Sequence, residues 1–158
     1  MPRKAKTSGG RARARARARS RSRLAIVAAE FNRPLVDAMV AGALDEANKE
    51  GARIAFDPVR VPGCYETPLV VARVLARRDV DAVVVLGYIE RGETQHGEVM
   101  GHVVHAALVG LSLDHAKPVG IGIIGPGATP AQAEERKDGY ARAAVRAAMR
   151  ALAAQALE

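Results

Sequence analysis

Ala82-Val83-Val84-Val85-Leu86 runs into Gly87-Tyr88-Ile89-Glu90-Arg91-Gly92-Glu93-Thr94-Gln95-His96, and the chain is best read outward from this stretch. Five apolar residues, three of them Val, read as a short buried strand. Gly87 and Gly92 permit backbone turns that a side chain would hinder. Thr94 suits the N-cap of the helical pattern that follows. A strand, a Gly-containing loop and a helix start together make an anion site from backbone N–H groups and the helix dipole. His96 falls in the first turn of that helix. Its ordinary pKa suits proton transfer near neutral pH. A surface loop with a solvated His accounts for the same residues equally well, so the flanking sequence has to decide.

That sequence alternates strand and helix signals. Residues 24–28 form a first apolar run. Asn32 can cap a helix and Pro34 suits its first turn. Leu35, Val36, Met39, Val40, Ala43, Leu44 and Ala47 then recur at helical spacing, and Gly51 ends the helix. Residues 54–61 alternate well enough for a second strand, with Pro58 pointing to an edge or a strand end. Thr67-Pro68 opens a second helix, and residues 94–111 form a third. Residues 119–124 read as a fourth strand, broken by Gly125-Pro126-Gly127. A short helix over 130–137 and a last Ala-rich helix from about Gly139 complete the pattern.

Strand alternating with helix implies right-handed crossovers and a parallel sheet covered on both faces. The expected fold is α/β, a three-layer sandwich on a four-stranded parallel sheet. Such sheets bind ligands beyond the carboxyl ends of their strands. Residues 29–31, 61–66, 87–94 and 125–127 then share one rim, which favours the functional reading of the central loop. Phe31 at a strand end is either core or a stacking platform. Glu66 either favours the next helix start or binds ligand hydroxyls. Cys64 reads as a small packed residue, with no His near it in sequence. His102 and His105 share a helical face without a cluster of metal-ligand spacing, so both read as structural and no metal site is expected. Arg136 is a solvated helix residue or a phosphate clamp.

Composition adds bounds. The chain has 158 residues and is 49% apolar but only 3% aromatic, so Val, Leu, Ile and Ala must build the core. With Cys64 as the one cysteine, no intrachain disulfide can form, and a reducing, cytoplasmic setting is the expectation. No apolar run reaches the roughly 18 residues of a membrane span, and no apolar signal core opens the chain. Of the 24 Lys and Arg, ten lie in residues 1–23, which hold no Asp or Glu. The other 14 face all 17 acidic residues, so a mildly acidic domain (residues 24–158) carries a basic tail. Its alternating Arg and Ala cannot bury enough surface to order it. A solvated tail with weak polyanion affinity is the primary reading, and an organelle-targeting segment is another.

The residues also resemble a known family. Phe31-Asn32, Val61-Pro62-Gly63-Cys64-Tyr65-Glu66-Thr67-Pro68, and Leu86-Gly87 with Arg91-Gly92-Glu93-Thr94-Gln95-His96 are similar, in this order and spacing, to 6,7-dimethyl-8-ribityllumazine synthases of riboflavin biosynthesis. Gln132-Ala133-Glu134-Glu135-Arg136 matches the segment before that family's last helix. The resemblance implies a flavodoxin-like fold and pentamers with active sites between subunits. It also implies condensation of 5-amino-6-(D-ribitylamino)uracil with 3,4-dihydroxy-2-butanone 4-phosphate, without a cofactor. Phe31 would stack on the pyrimidine. Cys64, Tyr65 and Glu66 would hold the ribityl chain and ring edge, and Tyr88, Ile89 and Glu90 would form the next substrate-contacting segment. Glu93, Thr94 and Arg136 would bind phosphate, His96 would move protons, and Ile121 would line the pocket from an adjoining subunit.

The chain departs from the family pattern at Gly97, Glu90, Ile121 and the longer Gly125-Pro126-Gly127-Ala128. It also departs in the near loss of the Gly/Lys/Asn loop after Arg136, where Lys137-Asp138 remain. A shortened loop and crowded basic tails favour a pentamer or a pair of pentamers over a sixty-subunit shell. The alternative function is a catalytically weak paralogue binding flavin, lumazine or a polyanionic cargo.

Overall fold

The computed structural model describes residues 22–156 together with Gly9. The readings made for the basic tail lie almost entirely outside the described residues. The elements follow in order: β1 (Arg23–Ala29), α1 (Arg33–Lys49), β2 (Arg53–Ile54), β3 (Val59–Val61), a 3-10 turn (Cys64–Glu66), α2 (Thr67–Leu75), β4 (Ala82–Glu90), α3 (His96–His115), β5 (Val119–Ala128) and α4 (Pro130–Gln155).

Every strand pairing is parallel. Both β2 and β3 pair with β1, whose other edge meets β4, and β4 in turn meets β5. The sheet therefore has four strand positions, one of them filled by two short segments, as the expected four-stranded fold requires. β1 and β4 are central and almost continuously apolar, as strands covered on both faces must be. Alternate residues go to opposite faces. Leu24, Ile26, Val84, Leu86 and Tyr88 pack under α1 and α4, while Ala25, Val27, Val83, Val85 and Ile89 pack under α2 and α3. The chain leaves β1 toward β3 and then returns to the other side for β4, so the order reverses between β1 and β4. In open parallel sheets that reversal opens a crevice at the carboxyl rim.

Four local expectations need correction. Asn32 does precede α1 but lies in the left-handed region (φ 53) and makes no side-chain capping bond. The second strand is interrupted between Ile54 and Val59 around Pro58. β4 runs past Leu86 to Glu90, so the first residues of the central loop belong to the sheet. Gly125-Pro126-Gly127 does not end β5. The ladder shifts register between Tyr88 and Glu90, and Ala128 returns to pair with Glu90. The three residues bulge out and the strand resumes, with Arg91 N–H donating to Ala128 O at 2.9 Å. Gly125 adopts φ +95 hard against Ile89 O, where a side chain would have no room.

The two expected C-terminal helices are one, α4, which passes through Gly139 without a break. A Gly in a helix interior costs about 1 kcal/mol relative to Ala. Strong anchoring offsets it. Thr129 and Gln132 form a reciprocal capping box at the helix start. Arg142 binds Asp138 on its own helix and Asp45 and Glu46 on α1. α3 likewise starts two residues later than expected, at His96, while Thr94 Oγ1 accepts a 3.4 Å bond from His96 N–H.

Candidate active site

Two aromatic contacts mark the rim at the β1/β4 reversal. Phe31, half exposed just past β1, lies 6.1 Å between ring centroids from Tyr88 on β4. Tyr88 is buried, and its phenol donates to Ala128 O at 3.0 Å, which fixes the ring against the end of β5. Burial, reinforced by the charge of Glu90, pushes the Tyr88 hydroxyl pKa up, so it stays a neutral donor. Phe31 therefore offers an open apolar face on a rigid support.

The second contact joins Tyr65 and His96 edge to face, with centroids 5.9 Å apart. The Cys64–Glu66 turn places Tyr65 there, held by Thr67 Oγ1 donating to Cys64 O at 2.7 Å. Both Tyr65 and His96 are exposed, so His96 can reach a ligand. Cys64 is buried against Gly87, where an added Cβ would stand 2.7 Å from its sulfur. Burial drives its thiol up to about 11, only partly offset by a hydrogen bond from the Tyr88 backbone, so it is a packed thiol rather than a nucleophile. The charge of Glu66, exposed at the end of the same turn, raises it further. Ile89 is buried on the α2/α3 face and shapes the floor of the loop instead of presenting its side chain.

On the other side of the loop is a cavity of about 590 Å³. Glu90, Arg91, Gly92, Glu93, Thr94 and Gln95 line one wall, Gly97, Glu98 and His102 of α3 a second, and Pro126 and Gly127 of the β5 bulge the third. Packing of Gly101 against Pro126 closes the end. Thr94 belongs both to this cavity and, through its bond to the His96 N–H, to the aromatic side.

The structure thus brings Phe31 and Tyr88 together, Tyr65 and His96 together, and Glu90, Glu93 and Thr94 together. Ile121 and Arg136 do not line the cavity of the single chain. Ile121 is half-buried on β5 beside Val85. Arg136 is exposed on α4, with Nη1 only 3.4 Å from its own helix carbonyl at Gln132. His102, structural on the sequence reading, instead lines the cavity and sits 3.8 Å from Glu98. The Glu98/His102 spacing of four was the available signal. His105 does have the structural role expected, with Nδ1 2.7 Å from Gly101 O. Among the described residues, no group of three or more His, Cys, Asp or Glu could hold a metal ion, and no helix is long and apolar enough to cross a membrane.

The fold is that of a flavodoxin-like parallel α/β protein, with aromatic and polar side chains gathered at the rim where the strand order reverses. Residues 21–156 match the family model described as 6,7-dimethyl-8-ribityllumazine synthase. The protein of that name from Aeropyrum pernix is 44% identical over 128 residues, covering 80% of this chain and 86% of its own. Those from Staphylothermus marinus and Methanococcus aeolicus are 44% and 42% identical, covering 78% and 80% of this chain and 82% and 92% of theirs. The chain belongs to the 6,7-dimethyl-8-ribityllumazine synthase family.

Proposed function

We propose that this chain catalyses the condensation of 5-amino-6-(D-ribitylamino)uracil with 3,4-dihydroxy-2-butanone 4-phosphate to 6,7-dimethyl-8-ribityllumazine, phosphate and water. The observation that carries the reading is the convergence of a stacking ring, a histidine and a Gly-flanked anion loop on one rim. The pyrimidine stacks on Phe31. Cys64, Tyr65 and Glu66 hold the ribityl chain and ring edge, and Tyr88, Ile89 and Glu90 border the ring. Glu93 and Thr94 bind phosphate through the loop at the start of α3, where first-turn N–H groups and the helix dipole favour an anion. The pyrimidine amine attacks the ketone and expels a first water to give an imine, proton shifts at His96 expel phosphate, and ring closure loses a second water. Holding two substrates in register supplies much of the acceleration.

Ile121 and Arg136 take part in this reading through an adjoining copy. Support for that comes from α3, where only Gly101, Val104 and Leu108 are buried among twenty residues. Val99, Val103, Val109 and Leu113 are left exposed, Leu113 by 76%. Such a face is suited to covering by a neighbour. A pentamer, or two pentamers back to back, is the proposed assembly, and the cytoplasm the proposed location. The Arg-rich segment is read as a weak grip on polyanions.

The test is to mix purified protein with both substrates and follow lumazine fluorescence. The proposal expects fluorescence only when both are present. Its absence, with riboflavin or lumazine still bound, would favour the weak-paralogue reading instead.

A further inference from the structure

The turn that presents Phe31 is not closed by its own side chains. It joins β1 to α1 through Asn32, which lies in the left-handed region (φ 53) and makes no capping bond. Tyr88 supports the Phe31 ring, and Tyr88 is itself fixed to Ala128 O. That contact holds the ring but not the backbone that carries it. The edge segment β3 grips the backbone at two points. Before the turn, Glu30 N–H donates to Val61 O at 2.8 Å. After it, Arg60 Nη2 lies 2.6 Å from Asp37 Oδ1 on α1. Arg60 pairs with Ala28 on the sheet face that α1 covers, so its side chain crosses from sheet to helix. Arg33 spans the same turn more loosely, 3.7 Å from Glu30 and 3.6 Å from Asp37. Its side chain is 63% exposed, and exposed pairs contribute little. Arg60 is only 25% exposed, and its Nη1 is buried with no hydrogen-bond partner among the described residues. A buried donor without a partner costs stability, so stability does not account for an arginine at this point.

We propose that Arg60, through Asp37, is a positioning residue for the pyrimidine site: it sets the β1–α1 turn and with it the angle at which Phe31 meets the ring. This rests on the stacking role of Phe31 proposed above and adds a residue that acts only through the turn. Stacking depends on the offset and tilt of the two rings. A turn free to shift therefore weakens the pyrimidine while leaving His96 and the anion loop in place. Those follow β4, which lies across β1 from β3.

The experiment compares the full chain with Arg60→Met, Arg60→Lys and Asp37→Asn, and pairs Arg60→Met with Phe31→Ala. Steady-state kinetics are measured with each substrate varied in turn, alongside calorimetric titration with the pyrimidine alone and urea unfolding. Arg60→Met keeps the apolar stem and removes the charge and the unpaired donor, so the urea midpoint should not fall. KM and Kd for the pyrimidine should rise about tenfold, within what misplacement by about 1 Å can cost. The kcat and the KM for the butanone phosphate should stay within about twofold of the parent values. Asp37→Asn should act alike, and Arg60→Lys, which still offers Asp37 a cation, should recover most of the affinity. In the Phe31→Ala background, Arg60→Met should have no further effect, because the two act through one ring. Unchanged pyrimidine affinity in Arg60→Met would overturn the proposal. So would a fallen urea midpoint with equal loss for both substrates, or full additivity with Phe31→Ala. Any of these in a chain that forms lumazine defeats this proposal alone, whereas a parent chain that neither binds the pyrimidine nor forms lumazine defeats the catalytic reading itself.

Discussion

His96 is held by its position more than by any bond of its side chain. The first turn of α3 and the edge of the Tyr65 ring place it at the rim with its imidazole exposed. If it moves protons while the loop and Phe31 do the positioning, His96→Ala should lower turnover by roughly ten- to a hundredfold and leave substrate affinity nearly unchanged. Steady-state kinetics on the variant checks this, and unchanged turnover removes His96 from the mechanism. Arg136 offers the complementary case. Arg136→Ala should weaken the butanone phosphate by about 1.5–3 kcal/mol, the scale of a charge-assisted hydrogen bond, and spare the pyrimidine. Titration with each substrate separately measures it. Equal loss for both would point to assembly instead. The residue types of the rim were legible in the sequence because Gly, His, Glu and a lone strand-end Phe are local signals. The cavity wall from Gly97, Glu98 and His102 was not, because it exists only once α3 packs on Pro126.

At the scale of elements, β5 and α4 are where local signals misled. Gly-Pro-Gly reads as a break and Gly139 as a helix end, yet pairing of Ala128 with Glu90 and packing on the sheet override both. The closeness of that packing gives a test. An ideal Cβ at Gly120 would stand 2.1 Å from Ala144 O, a backbone atom that cannot yield without moving α4. Gly120→Ala should therefore destabilise the fold by about 1–3 kcal/mol, read as a lower urea midpoint. α4 is also tied to α1 by Glu46, buried at their interface with Arg146 at 2.8 Å and Arg142 at 3.4 Å. The bond from Arg146 chiefly, then that from Arg142, hold the Glu46 carboxyl below its ordinary value near 4.5 despite burial. A carboxyl depressed in the folded state contributes stability above its unfolded value, and that contribution is lost as pH falls through the folded one. Stability should thus decline below about pH 4.5, and Glu46→Gln should lower it at pH 7 while flattening the decline. Urea midpoints across this range decide it, and an unaltered slope would show that other carboxylates dominate.

For the molecule as a whole, the alternation of strand and helix made the parallel sheet and its rim legible, because each crossover is short and its hand is fixed. Quaternary structure is a different matter, since a helix that faces a neighbour looks in sequence like one that faces the core. α3 shows this. Its valines repeat as core residues do, yet Val99, Val103 and Val109 are more than half exposed. The assembly proposed to cover them should give a pentamer or decamer by light scattering, and a particle near a megadalton would show that the short segment after Arg136 does not limit closure. The most direct measurement takes lumazine and inorganic phosphate from the same sample, with both substrates and with each omitted. Equal yields of the two products, requiring both substrates, are the predicted result; phosphate without lumazine, or neither product, would contradict it.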